Sequence, residues 1–232
     1  MPKGKFFVFE GIDGSGKSTQ VALLADYLKK KGYKIEKMHF PQHEKRSAGL
    51  VDEYLSGKYG QADEVGPYVA SVFYACDRYD AGFKIKKWLS EGKIVISDRY
   101  LVSNIGHQGG KIKNKKDWKK YVRWLYNLEY NIFKIPKPNY TFIFKTLPGI
   151  SLETLGKLTE YQRKQKKESY LKGEKDIHEK SMEHLKDALR SYLWVAKEFP
   201  KEFKVIECLD GKNMLSIDSI ASKIIKLVEE KL

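Results

Sequence analysis

Short apolar runs rich in Val, Ile and Phe recur along the chain, separated by longer stretches in which apolar positions return with helical spacing. That alternation is the signature of βα units arranged around a parallel sheet, so the expected class is α/β. The strand-like runs are Lys5–Phe9, Lys34–Phe40, Lys93–Ser97, Tyr140–Lys145 and Lys204–Leu209, and five strands fit one sheet. Helices are expected near Lys17–Lys31, Ala48–Leu55, Pro67–Ser90, Lys115–Lys134, Ser151–Lys167, Ile177–Glu198 and Leu215–Lys231. Gly32 and Gly92 act as stops after the first and third of these. The Pro136-Lys137-Pro138 turn separates a helix from the fourth strand. No internal repeat is evident, and residues 1–232 read as a single domain.

The first strand runs into Gly11-Ile12-Asp13-Gly14-Ser15-Gly16-Lys17-Ser18, followed by the helix-like Thr19-Gln20-Val21-Ala22-Leu23-Leu24. This is the phosphate-binding P-loop pattern in its strand-to-helix setting. Glycines let the backbone curl so that successive N–H groups converge on one anion, and the helix N-terminus adds its positive dipole end. Lys17 would reach the β- and γ-phosphates of a nucleoside triphosphate, and the Ser18 hydroxyl would ligate Mg²⁺. Gly11, Asp13, Gly14, Ser15, Gly16, Lys17, Ser18 and Thr19 are therefore the expected ATP-binding residues.

Composition narrows the class only a little. A 232-residue chain with 41% hydrophobic and 13% aromatic residues builds a sizeable core and is not disordered. Forty-four Lys and Arg against thirty Asp and Glu give a net charge of +14, which suits polyanionic ligands. Much of that excess is lysine on helix-like segments, where a solvated face is the ordinary explanation. Cys76 and Cys208 lack metal-ligand spacing, so neither a disulfide framework nor a zinc site is implied and a reducing compartment fits. The N-terminus enters the first strand with no signal peptide pattern, and no apolar run approaches membrane-spanning length. A cytoplasmic location is expected.

Four further constellations carry candidate chemistry. The third strand ends in Asp98-Arg99-Tyr100, and strand carboxyl ends in a parallel sheet converge on the ligand crevice. Asp98 can hold the hydration shell of Mg²⁺, and Arg99 can bind phosphate through two parallel hydrogen bonds. Asn104 and Gln108 lie four apart in the next segment and share a helical face, which suits either a nucleobase edge or capping of the local backbone. His107 alone reads as structural. On the long helix Tyr74 and Arg78 share a face, where an aromatic ring and a guanidinium could stack on a base and bond its carbonyl, although an isolated aromatic at this spacing is usually core. Tyr161–Ser169 has almost no apolar stripe and is expected to be exposed and mobile; such a basic segment could close over a triphosphate, although a plain solvated helix end explains the individual lysines.

Together these residues resemble the thymidylate kinases, nucleoside monophosphate kinases that make dTDP from dTMP and ATP. The resemblance runs through Phe9–Gln20, Phe40-Pro41, Tyr54–Gly60, Ala75–Arg78, Asp98–Tyr100, His107–Lys111 and Tyr170–Glu179. It implies a P-loop kinase fold, a three-layer α/β/α sandwich with a five-stranded parallel sheet, and a basic lid near 155–175. It implies that Asp13 contacts the acceptor's 3′-hydroxyl and that Arg99 holds its phosphate. Tyr74 would stack on thymine, Arg78 would bond a base carbonyl, and Asn104 and Gln108 would contact the base edge. Tyr100 would lie against the deoxyribose, Phe40 would complete the acceptor site, and Arg163 would be the lid arginine. Lys17, Arg99 and Arg163 are thus the expected catalytic residues, and Ser18 and Asp98 the expected Mg²⁺ residues. ATP, dTMP and a second copy of the chain, packed through Val69–Phe83, are the expected partners; membrane and nucleic acid are not.

Two departures stand out. Many relatives carry an arginine within two residues of the Phe-Pro pair, where this chain has Gln42 and His43, with Arg46 farther along. Arg46, or charged His43, would have to substitute. The fourth strand ends Ile143-Phe144-Lys145-Thr146, where relatives commonly have an acidic residue after the apolar run, a difference without a physical account. The rival readings are a kinase for another nucleoside monophosphate or a deoxynucleoside, and an ATP-switched P-loop module that binds nucleic acid.

Overall fold

Phe6 and Val8 point to one side of the first strand and Phe7 and Phe9 to the other, and all four are fully buried. A strand covered on both faces belongs in the middle of a sheet between two layers of helices. The computed structural model describes residues 4–43, 45–156 and 182–232. In it β1 (Lys5–Gly11) is the central strand of a parallel sheet, flanked by β3 (Ile94–Asp98) and β4 (Tyr140–Lys145). With β2 (Ile35–His39) and β5 (Phe203–Glu207) the order is β2-β3-β1-β4-β5.

The sheet separates two cores. Phe7, Phe9, Ile96, Phe142 and Phe144 pack against α1 (Lys17–Lys30) and α8 (Ile217–Glu229). Phe6, Val8, Val95 and Ile143 pack against α3 (Ala62–Ser90), α4 (Leu101–His107), α5 (Lys115–Tyr126) and α7 (Met182–Glu198). A smaller cluster joins α2 (Gly49–Leu55) to α3 through Val51, Tyr54, Leu55 and Ala70. This is the expected three-layer α/β architecture. The register places Phe9 beside Asp98 and Gly11 beside Phe144, so the carboxyl ends of β1, β3 and β4 open on one crevice.

Several elements differ from the sequence reading, each for a local reason. The long helix starts at Ala62, before the expected Pro67, because Gln61 and Glu64 form a capping box; Gly66, with φ 73°, kinks it before Pro67 resumes the helix. The helix expected over Lys115–Lys134 stops at Tyr126, and Asn127–Ile132 forms a π-helical turn. Ala48 ends a 3₁₀ turn that precedes α2. A small hairpin, β6 (Leu209–Asp210) and β7 (Asn213–Met214), turns at Gly211 with φ 59°. Of the helices expected over Ser151–Lys167 and Ile177–Glu198, Pro148–Gly156 (α6) and α7 are seen; the remainder lies outside the described residues. Among the described residues no helix is long and apolar enough to cross a membrane.

Gly106 marks the tightest helix contact near the site. A Cβ there would overlap the ring of Tyr192 on α7, which is fully buried. Alanine would gain about 1 kcal/mol of helix propensity but force that ring off its seat, at a cost of about 1–3 kcal/mol or more. Gly106→Ala is therefore expected to lower the melting temperature by several degrees, measured by differential scanning fluorimetry; an unchanged or higher value would contradict the packing described.

Candidate active site

Backbone geometry, more than side chains, builds the first part of the site. Gly14 and Gly16 have φ 75° and 85°, conformations that residues with a Cβ seldom adopt. Gly16 caps α1, and no acidic side chain occupies the first turn of that helix to compete for its free N–H groups. On the other side Gly14 lies so close to the Ser151 carbonyl of α6 that no side chain fits. Lys17 is buried, and its Nζ donates to the Ile12 carbonyl at 2.9 Å and to Ser15 Oγ at 3.3 Å. Burial pushes its pKa from 10.5 down to about 8, Arg99 adds to the shift, and Asp98, Asp13 and Glu10 oppose it. Ser18 and Thr19 are exposed at the mouth.

Beside this loop, β3 delivers Asp98 and Arg99. The Asp98 carbonyl accepts from Phe40 N at 3.0 Å, while Asp98 Oδ1 is buried without a hydrogen-bond partner among the described residues. Arg99 takes φ 69°, a strained conformation for a residue with a Cβ, and its N–H donates to the Phe9 carbonyl at 2.8 Å. That turn sends the guanidinium back over the loop, where Nη2 donates to Asp13 Oδ1 at 2.6 Å and Nη1 to the Gly11 carbonyl at 3.3 Å. Nη1 also donates to Ser103 Oγ at 3.3 Å and to His107 Nε2 at 3.0 Å. A guanidinium only donates, so His107 Nε2 accepts and its proton sits on Nδ1, which donates to His184 Nε2 at 3.1 Å. Burial works against the charge on Arg99, but Asp13, Tyr192, Asp98 and Glu10 hold its pKa above the ordinary value.

Under the Arg99 turn lies Glu10, fully buried in β1. Its Oε1 accepts from the N–H groups of Tyr100 and Ser103 at 2.8 and 3.0 Å, and its Oε2 from the hydroxyls of Ser103 and Tyr192 at 2.7 and 3.1 Å. One carboxylate thus caps α4 and ties it to β1 and α7. Burial raises its pKa, while Arg99, the Ser103 hydroxyl, the Tyr100 N–H and Lys17 pull the other way.

A third group lies along α3 and α4. Arg78 is buried and forks onto Glu129, with Nε to Oε2 at 2.6 Å and Nη2 to Oε1 at 2.8 Å. Asn104 Nδ2 donates to the Ser71 carbonyl at 3.1 Å, which turns Oδ1 the other way, and Gln108 Oε1 is buried without a partner among the described residues. Tyr74 is half-buried, edge-on to Tyr54 with ring centroids 6.3 Å apart. Phe40 and Tyr100 pack together in the core at 5.5 Å, and the Tyr100 hydroxyl has no partner among the described residues.

Residues 9–207 match the family model described as thymidylate kinase. The chain belongs to the thymidylate kinase family. A thymidylate kinase of Plasmodium falciparum (isolate 3D7) is 34% identical over 116 residues, 50% of this chain and 53% of that protein. A probable thymidylate kinase of Thermococcus onnurineus (strain NA1) is 31% identical over 241 residues, 98% of each chain. A solved thymidylate kinase structure from Candida albicans, reported to reveal the origin of broad substrate specificity and a novel structural element, covers 99% of this chain. The match spans 92% of that chain with a TM-score of 0.69 at 21% identity, a likeness of fold.

Within this thymidylate kinase fold the structure gathers Lys17, Asp13, Asp98 and Arg99 around one crevice, and sets Arg78 on α3, Asn104 on α4 and Gln108 just past the end of α4 beside it. Phe40 and Tyr100 have a packing role in the core, so little of either ring is open to a ligand. Arg163 and the lid segment from 157 onward lie outside the described residues. Near Phe40-Pro41, Gln42 N and Nε2 donate to Asp77 at 2.8 and 3.0 Å, His43 pairs with Asp52 at 2.6 Å, and Arg46 is exposed. Glu10 and Glu129 are the two acids of the site that the sequence reading did not single out, and Ser103, His184 and Tyr192 join the network around Arg99 and Glu10 without having been singled out either. Glu10 stood in the family pattern, and an acid inside an otherwise apolar strand was the available signal; Glu129 gave none.

Proposed function

We propose that this member of the thymidylate kinase family transfers the γ-phosphoryl group of ATP to dTMP, giving dTDP and ADP for dTTP synthesis. The observation that carries this reading is the Arg99–Asp13 pair. A cation on the strand next to the P-loop is joined to an acid inside that loop, so donor and acceptor ligands share one junction. An oxygen of the dTMP phosphate attacks the γ-phosphorus, and the bond from that phosphorus to the β–γ bridging oxygen breaks, leaving ADP. The acceptor is already anionic, so positioning and charge neutralisation do the work and no strong base is needed.

Lys17 and the loop N–H groups bind the donor phosphates, and Arg99 binds the acceptor phosphate. Asp13 is read as the partner of the acceptor's 3′-hydroxyl, and Tyr74 as the stacking face for thymine. Asn104 Oδ1 and Gln108 Oε1 offer acceptors and Arg78 offers a donor, the complement of a base that presents an N–H beside a carbonyl. Phe40 and Tyr100 back this site from the core. Arg163 is read as the lid arginine on the transferring group. The orphaned Asp98 Oδ1 and the Ser18 hydroxyl are hard oxygen donors that suit Mg²⁺. When bound, that ion supplies neutralisation of phosphate charge.

Working in the cytoplasm accords with two free cysteines, Cys76 and Cys208. Val69, Tyr79, Phe83 and Ile132 are exposed, and we read them as the face that joins two copies; a monomer in sedimentation velocity would remove that part.

The test is ADP release with ATP and, in turn, dTMP, dUMP, dCMP, dGMP or thymidine. Release that depends on dTMP and exceeds that with the other acceptors is expected. Release without acceptor, stimulated by DNA, would instead support the nucleic-acid module.

A further inference from the structure

Arg78 and Glu129 are 1% and 0% exposed, and they meet through two parallel hydrogen bonds. Such a fork fixes the plane of the guanidinium as well as neutralising it. Of the five N–H donors of an arginine, the fork uses Nε and one on Nη2, and Nη1 makes no hydrogen bond to the described residues. Asp77, the other acid next to Arg78, is already taken by Gln42 and Ser47 and is not available as a substitute. Glu129 reaches Arg78 from the π-helical turn Asn127–Ile132, where the Ile135 N–H donates back to the Glu129 carbonyl at 3.0 Å. A turn wound with an extra residue rotates its side chains relative to a continuous α-helix, and such turns recur at functional sites.

We infer that Glu129 is a positioning residue: it locks Arg78 so that the guanidinium edge left outside the fork, with Nη1 and the second N–H of Nη2, is presented to the acceptor base, and so favours a base with a carbonyl over one with an amino group at that place. This rests on the reading of the site as a dTMP site. The physical basis is that a guanidinium has donors and no acceptor. Held in one plane by Glu129, it bonds a carbonyl oxygen and leaves an exocyclic amino group facing another donor, unpaired and desolvated. A guanidinium released from Glu129 could swing aside and relax that discrimination.

The experiment compares steady-state kinetics of the wild-type chain, Glu129→Gln and Glu129→Asp with dTMP, dUMP and dCMP, alongside circular dichroism. Wild-type turnover of dTMP is read first, and its absence would defeat the dTMP reading itself. Given that turnover, Glu129→Gln is expected to raise the KM for dTMP and to lower the dTMP-to-dCMP ratio of kcat/KM by about tenfold or more. The KM for ATP should stay unchanged. Glu129→Asp keeps the charge but draws it back by one methylene, and should fall between the two. A folded Glu129→Gln variant with the wild-type ratio would overturn the inference, even if less heat-stable. Should Glu129→Gln not fold, Glu129→Asp decides: a raised KM for dTMP with unchanged KM for ATP supports the role, and wild-type values overturn it. Failure of both to fold assigns the pair to stability alone and also overturns it.

Discussion

Lys17→Ala is expected to lower kcat/KM by about a thousandfold or more while the melting temperature stays level or rises. The two halves of this expectation have one cause. Lys17 is drawn into the loop against the Ile12 carbonyl and Ser15, and burial pushes its pKa to about 8. Its ordinary value is 10.5, so between about 8 and 10.5 the unfolded chain binds more protons and stability climbs with pH. Below about 8 the cost of holding the ammonium there is fully present, of order 3 kcal/mol. Alanine removes that cost together with the only buried lysine in the loop. Bound polyphosphate favours the charged form, so ATP binding should take up a proton above about pH 8 and weaken as pH rises. Calorimetry in buffers of different ionisation enthalpy reads the uptake. Full activity in the variant, or a large loss of stability, would sink this account.

Glu10→Ala should cost about 3–5 kcal/mol of unfolding free energy, because it strands several buried donors at about 1–3 kcal/mol each, partly relieved where they find other partners. Four donors, on Tyr100, Ser103 and Tyr192, converge on that carboxylate. Burial already raises its pKa above 4.5, so the ionised form is held at a cost that grows as pH rises above that value. The group therefore contributes through the donors it gathers and not through its charge. Activity should fall as well, since the turn carrying Arg99 lies directly before the amides Glu10 accepts from. Urea unfolding at neutral pH measures the first effect, and a midpoint equal to wild type would refute it. Glu10→Gln, which keeps the volume and one acceptor oxygen, should lie between.

The sheet was legible because β1, β3 and β4 are covered on both faces and therefore read as unbroken apolar runs. The P-loop was legible because its glycines are required by backbone angles that local sequence alone announces. What escaped depends on contacts between distant segments. Glu10 looks like any charged residue in a strand until α4 and α7 are folded against it. The π-helical turn is invisible because Asn127–Ile132 keeps a helix-compatible composition; its distinguishing contact is with Arg78, 51 positions earlier. The hairpin at Leu209–Met214 did carry a signal, Asp210-Gly211, but its strands are two residues each and offer no period to count. Asn104 and Gln108 were placed on one face, but only the bond from Asn104 to Ser71 tells which way the first amide is turned.

Tyr192 presses its ring on Gly106 while its hydroxyl reaches Glu10. Positions 106 and 192 should therefore drift through evolution as one epistatic unit. A side chain at 106 becomes tolerable once 192 has shrunk, and a shrunken 192 leaves an oxygen of Glu10 short of a donor. Changes at 106 and 192 ought therefore to arrive together, while the acid, still held by Tyr100 and Ser103, should feel them as a weaker coupling.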